Sequence, residues 1–474
     1  MKHPLALLTA LLLAPLATLH AASPPAKPNI VFILTDDLGW TDLGCQGSTF
    51  YETPNIDRLA TQGMRFTDNY AACCVCSPSR AGILTGQYPA RLHLTDWLVG
   101  GPPPNMKFNI PAWTTHLSLE APNLSKSLKA AGYVSASIGK WHLGPKPYWP
   151  EKQGFDVNVA GCEKGQPPSY FAPYKIPTLP EGPKGEFLSD RLTDEAIKFI
   201  EQNKDKPFFL YLPHYAVHRP TMAKPGVIAK YKAKADPKNP HHNPVYAGLI
   251  ESVDDSVGRL LAKLDELQLA DNTIVIFTSD NGGLTNDTSN APLRKGKGWS
   301  YEGGVRVPLI VKWPGVTKPG SVCNAPVIGV DFYPTLLALA GVTPVPGPVD
   351  GESMVPLLRG TGTMKREGIF WHFPHYRGGG TTPYSAIREG DWKLIEFLED
   401  MSVELYNLKE DIGETKDLAT TMPDKVNALR KKLHDWRDQV GAQMLTPNPK
   451  YDPNYKEDPS KPREKDPHDV PGES

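Results

Sequence analysis

Acids and bases recur in this chain just past its apolar runs. NIVFILTDD (residues 29–37) ends in Asp36 and Asp37, and TIVIFTSDNGG (273–283) carries Asp280 and Asn281 at the corresponding point. SASIGKWHLG (135–144) leads into Lys140 and His142, and FFLYLPHYAVH (208–218) into His218. Asp and Asn oxygens suit a hard cation such as calcium or magnesium. Singly, each residue has an ordinary explanation. Asp and Asn favour turns and caps, a lone histidine is commonly a satisfied structural side chain, and lysine is mostly solvated. Those explanations do not cover the shared placement. A fifth segment, CSPSRAGILTG (76–86), offers a nucleophile. Ser77 suits an N-cap and Pro78 a first turn, so a helix is expected to start right after Cys76. A cysteine there meets unpaired N–H groups that favour anions, a setting that activates thiols. The plain alternative is a buried cysteine before an ordinary capped helix.

The elements that must position these residues alternate in type, which predicts an α/β fold with a large, mostly parallel sheet between helices. Apolar runs without alternation fit central strands covered on both faces. Ligands of such sheets bind beyond the carboxyl ends of the strands, so four runs ending in ionisable groups imply one rim. TPNIDRLATQG, LSKSLKAAG, LTDEAIKFIEQN and the long stretch 245–268 have helical spacing. Past about residue 360 the texture changes. YSAIREGDWKLIEFLED and VELYNLKED read as an antiparallel meander, followed by a helix near residues 423–439. The expected division is a leader (1–22), a catalytic domain (23–360), an α+β subdomain (361–444) and a Pro- and charge-rich tail (445–474) that hugs the surface or stays disordered.

Composition narrows the class. The 474 residues are 40% hydrophobic and 22% charged, which excludes a disordered or fibrous chain. The net charge of -1 provides no field for nucleic acid or an acidic membrane. Lys2 and His3, an apolar run and the small residues Ala21, Ala22 and Ser23 form the pattern of a secretory signal, so export to the periplasm or medium is expected. The run is too short for a membrane span of ~20 apolar residues. Six cysteines are too sparse for a disulfide scaffold, and the crowding of Cys73, Cys74 and Cys76 points to chemistry or local packing at Cys76.

The string C-S-P-S-R followed by A-G-I-L-T-G resembles the signature of the formylglycine-dependent sulfatases, of the arylsulfatase type, in the alkaline phosphatase superfamily. The resemblance extends over about residues 28–444. It implies that Cys76 is oxidised to formylglycine by a generating enzyme that reads C-x-P-x-R. It matches Asp36, Asp37, Asp280 and Asn281 to the metal ligands, together with position 76. Calcium is the usual ion and magnesium a possible one. Arg80 matches the residue that positions the formylglycine. Lys140, His142, His218 and Lys297 match the sulfate-binding and proton-transfer positions, with His218 the acid and His142 the candidate base; His214 reads as structural. The implied substrate is a sulfated carbohydrate, with 4-O-sulfated galactose or N-acetylgalactosamine of a polysaccharide the first choice and 6-O or 2-O chemistry the alternative. Specificity is expected in the loops 93–101, 162–174 and 371–380. There Asp96, Trp97, His372 and His375 either contact the sugar or pack the domain junction. Two other readings stay open: a phosphate or phosphonate ester hydrolase of the same superfamily, and a glycan-binding protein with an inert site.

Overall fold

The computed structural model describes residues 27–455 apart from 99, 344–346 and 378–379. The predicted leader, and the tail beyond 455, lie outside the described residues. The large sheet contains β1 (Asn29–Thr35), β2 (Met64–Phe66), β3 (Val134–Ile138), β4 (Val157–Val159), β5 (Phe208–Pro213), β6 (Thr273–Ser279), β7 (Leu309–Lys312) and β8 (Ser321–Cys323). Their order is β8-β2-β7-β6-β1-β5-β3-β4. Only β7 runs antiparallel to its neighbours. At the centre, β1, β5 and β6 are buried at every position. That explains why these runs do not alternate: both faces are covered, and each large apolar side chain withdrawn from water contributes about 1.5–3 kcal/mol.

The helices supply the cover. They include α1 (Pro54–Gln62), α2 (Cys76–Thr85), α3 (Leu124–Ala130), α4 (Leu188–Gln202) and α5 (Pro244–Glu266), all anticipated from the sequence. Four of them expose part of their surface. All ten residues of α2 are buried.

The C-terminal unit is a four-stranded antiparallel meander, β9 (Gly368–Phe373), β10 (Tyr384–Glu389), β11 (Trp392–Phe397) and β12 (Val403–Asn407), with α6 (Pro423–Val440) packed on it. The first strand corrects the sequence reading, which placed Trp371 and His372 in a loop. Trp371 pairs with Ala386 and His372 with Ser385. The described part of the tail hugs the surface, where Thr446–Pro447 pairs with Phe108–Asn109. Among the described residues no helix is long and apolar enough to cross a membrane. All six thiols are unpaired.

Candidate active site

Strand register assembles the acids. β1 and β6 run parallel with Thr35 opposite Ser279, so the next residues, Asp36 and Asp280, emerge side by side, followed by Asp37 and Asn281. Asp37 N–H donates to Asp280 Oδ1 at 3.3 Å, and Asn281 Nδ2 donates to Asp37 Oδ1 at 2.7 Å. Asp37 has a φ of 62°, a left-handed conformation costly for a residue with a side chain. The outlier turns the chain out of the strand at the site, where surrounding contacts over-determine it.

β3 brings the bases. Gly139 allows the close crossing, since a methyl there would stand 2.0 Å from the Pro213 carbonyl oxygen. Lys140 follows and donates through Nζ to Asp36 Oδ2 at 2.6 Å. His142 is also left-handed, at φ 56°. Its Nε2 meets the Leu98 carbonyl, and its Nδ1 lies 3.3 Å from Cys76 Sγ. A carbonyl only accepts, so the ring proton sits on Nε2 and a neutral ring presents its lone pair to position 76. Burial, reinforced by the Lys140 charge, holds the His142 pKa well below the ordinary value, which keeps the ring neutral.

Helix α2 places Cys76 and Arg80 one turn apart. The expected start is corrected by one residue: Cys76 is already helical, and Val75, in extended conformation, is the N-cap. Ser77 caps nothing, because its Oγ accepts from Leu98 N–H at 3.2 Å. Position 76 therefore lies within the first turn, among the helix N–H groups that have no intrahelical partner. Arg80 donates through Nε to Asp280 Oδ2 at 2.8 Å and through Nη1 to the Lys140 carbonyl at 2.9 Å. Arg80 and the four metal-type residues are 2% exposed or less.

Two further arms close the pocket. Lys297 Nζ donates to Asp37 Oδ2 at 2.8 Å, and His218 Nε2 lies 3.5 Å from the same oxygen. His218 Nδ1 faces the Arg219 carbonyl at 2.9 Å, which assigns that nitrogen a proton. Burial alone raises a carboxylate's pKa, yet Asp37 is held below its usual range by Lys297, His218 and Lys140. Asp36 goes the other way, raised by burial and by Asp280 beside it. A cation would relieve that repulsion. The donor chemistry fits one: Asp36 Oδ1 and Asn281 Oδ1 are buried without hydrogen-bond partners. Oxygen-rich sets favour calcium or magnesium.

The four residues put forward for the sugar are brought together, but in the domain junction. Asp96, Trp97, His372 and His375 are all buried. His372 falls on the packing side of the two readings: Nδ1 contacts Ser385 Oγ at 2.8 Å and Nε2 contacts the Gln443 carbonyl at 2.7 Å, both within the C-terminal subdomain. His375 Nε2 contacts Thr95 Oγ1 at 2.8 Å. Trp97 lies under Arg377, whose Cζ is 5.8 Å from the ring centroid. Sequence reasoning named the loop of Arg377 without singling it out; its signal was one guanidinium among aromatic residues. The Leu98 carbonyl was also missed, and a backbone atom leaves no sequence signal. His214 is structural as read, buried with Nε2 3.1 Å from Ser256 Oγ.

Comparison with known proteins agrees with this geometry. Residues 28–342 match the family described as Sulfatase, and residues 295–440 match the C-terminal family of N-sulphoglucosamine sulphohydrolase. A protein of Formosa agariphila named Sulfatase is 36% identical over 90% of this chain and 92% of its own length. Human N-acetylgalactosamine-6-sulfatase is 35% identical over 76% of this chain and 70% of its own. The solved structure of Ps i-CgsB in complex with k-i-k-neocarrahexaose superposes with a TM-score of 0.74 at 31% identity, covering 87% of this chain and 93% of that one. A helix-borne Cys76 inside a cage of acids, lysines and histidines thus comes with relatives that span nearly the whole described chain, and the protein belongs to the sulfatase family.

Proposed function

We propose that this sulfatase removes sulfate from galactose or N-acetylgalactosamine units of a polysaccharide, using a formylglycine made from Cys76 and a divalent metal, calcium before magnesium. The observation that carries the reading is the placement of position 76. It sits at the start of a buried helix, 3.3 Å from a neutral His142 and within the field of Lys297 and Arg80. In the structure Cys76 Sγ stands where the oxygens of the hydrated aldehyde belong. Formylglycine would supply the hydroxyl that attacks sulfur, and a metal held by Asp36, Asp37, Asp280 and Asn281 would neutralise the charge of the sulfate.

The remaining roles fall to the chain's own residues. Lys140 and Lys297 set positive charge around the sulfate oxygens, where a transferring sulfuryl group accumulates charge. Arg80 ties α2 to Asp280 and so fixes position 76 against the metal ligands. His218 holds the proton for the departing sugar oxygen on Nε2. His142 Nδ1, directed at position 76, takes the proton whose loss frees sulfate. Export and a dependence on a formylglycine-generating enzyme follow from the leader and the C-x-P-x-R string.

For the substrate we propose the 4-O-sulfate, with Asp96, Trp97 and Arg377 presenting the sugar-facing side of the junction. The name of the human N-acetylgalactosamine-6-sulfatase supports the sugar and favours a second reading at O6. The test is sulfate release from galactose and N-acetylgalactosamine sulfated at O4 or O6, glucosamine 6-sulfate, a uronate 2-sulfate, an aryl sulfate and matched phosphate esters. Peptide mass first establishes formylglycine, and Cys76→Ser is the blank. Release confined to O4 supports the proposal, release at O6 replaces its regiochemistry, and hydrolysis of phosphate esters alone rejects it.

A further inference from the structure

The loop that carries Lys297 leaves the sheet at Asn281 and returns through a short helix, Glu302–Val305. Its ends meet backbone to backbone. Gly282 N–H donates to the Gly304 carbonyl at 3.0 Å, and Gly303 N–H donates to the Arg294 carbonyl at 3.0 Å. A methyl on Gly282 would stand 1.9 Å from the Gly303 carbonyl oxygen. Glycines packed this closely have no side chains with which to grip, so the grip has to come from the residues beside them.

It comes from the C-terminal sheet. Lys393, on β11, donates through Nζ to Glu302 Oε1 at 2.9 Å and pairs with Glu414 Oε1 at 2.9 Å. Glu302 N–H donates to Glu414 Oε2 at 2.7 Å. Tyr301 O–H donates to Glu404 Oε2 at 2.9 Å. Arg294 Nη1 donates to Tyr406 Oη at 2.8 Å and to the Glu414 carbonyl at 3.0 Å. On its other side, Glu302 Oε2 accepts from Tyr70 O–H at 2.7 Å and from Arg306 Nη1 at 3.1 Å. Lys393, Glu302 and Glu414 are fully buried, where each charge depends on its partners. The two family matches, 28–342 and 295–440, overlap on this same segment.

We infer that Glu302, Lys393 and Glu414 are positioning residues, through which the C-terminal sheet fixes Lys297 and the metal-binding end of β6. The inference rests on the sulfatase reading of the pocket. None of the three is placed to touch substrate; they act through the neck of the loop.

The test compares Glu302→Gln with Glu396→Gln in the purified, full-length enzyme. Glu396, on β11 of the C-terminal sheet, is an equally buried carboxylate, bound to Arg437 at 2.8 Å rather than to the loop. Calcium affinity is measured by calorimetry on metal-stripped protein, and kcat and KM by sulfate release. Glu302→Gln is expected to weaken calcium binding and kcat by about 10–100-fold each, while Glu396→Gln, with a similar fall in Tm, keeps both within about twofold. Equal losses in the two variants, or unchanged calcium affinity and kcat in Glu302→Gln, overturn the inference. If Glu302→Gln does not fold, Glu414→Gln carries the same comparison, since its amide oxygen still accepts from Glu302 N–H. A wild type that binds calcium but releases sulfate from no ester rejects the sulfatase reading alone, and the calcium comparison still decides the positioning role.

Discussion

The rim of the large sheet and the junction beneath the C-terminal sheet are both rich in buried polar side chains, yet they use them differently. At the rim, the residues point at one another although they lie 104 to 260 positions apart in the sequence, and two of their oxygens are left over for a cation. The rim also holds left-handed conformations at Asp37 and His142. In the junction, His372 has both nitrogens engaged by its own subdomain, and Lys393 is clamped between two glutamates. Oxygens left over among the rim's acids leave a place for a cation, whereas the buried charges of the Lys393 clamp close on one another.

The contrast can be broken most decisively at position 76. Cys76→Ser is expected to bind substrate yet lose at least about 10³-fold in turnover; sustained multiple turnover by the purified variant rejects the nucleophile. Next comes Asp36→Asn, which removes a proposed metal ligand and the charge partner of Lys140, with an expected loss of roughly 10²–10³-fold in kcat/KM. Metal stripping should mimic it, and calcium should restore the stripped wild type but not the variant. His218→Asn is expected to lose about 10²–10⁴-fold on a sugar sulfate, and far less on an aryl sulfate whose leaving group needs no proton. Equal losses on both substrates refute its role as the acid.

At His372, in the junction, the same exercise should yield a stability effect. His372→Asn is expected to cost about 1–3 kcal/mol of stability while kcat/KM changes less than about threefold; a large selective loss of activity restores His372 to the substrate site. A pH dependence complements it. Burial pushes His214 and His372 down to about 4 and His375 to about 3, whereas unfolded histidine titrates near ~6.5. The unfolded chain therefore takes up protons first. The stability these rings contribute is complete above pH ~6.5 and is lost as pH falls toward 4, by up to ~1.4 kcal/mol per pH unit for each ring. Replacing His214 with Gln should remove one such share from a Tm-against-pH profile.

How much of this was legible in the sequence follows the same division. The rim was readable because each residue is fixed by a local rule: an apolar run ends, the next residue emerges at the sheet edge, and in-register pairing brings the ends together. The junction was not, because whether His372 faces a sugar or Ser385 depends on the partner of β9, which lies beyond any local pattern. The helix start at Cys76 was missed by one residue for a similar reason. Ser77 has the composition of a cap, but a tertiary contact from Leu98 claims its hydroxyl.

The complete burial of α2 sets an order of events. Cys76 is 3% exposed, and Ser77, Pro78 and Arg80 are wrapped into the same buried turns. An oxidising enzyme that reads C-x-P-x-R could not reach those side chains once they are buried, so on the proposed chemistry it acts before α2 docks. Maturation then becomes a race between two rates, oxidation of the nascent chain and collapse of the core around it. The active fraction of a preparation would be decided during synthesis, and raised by slowing folding or by supplying the modifying enzyme early. Adding that enzyme to the finished protein would come too late.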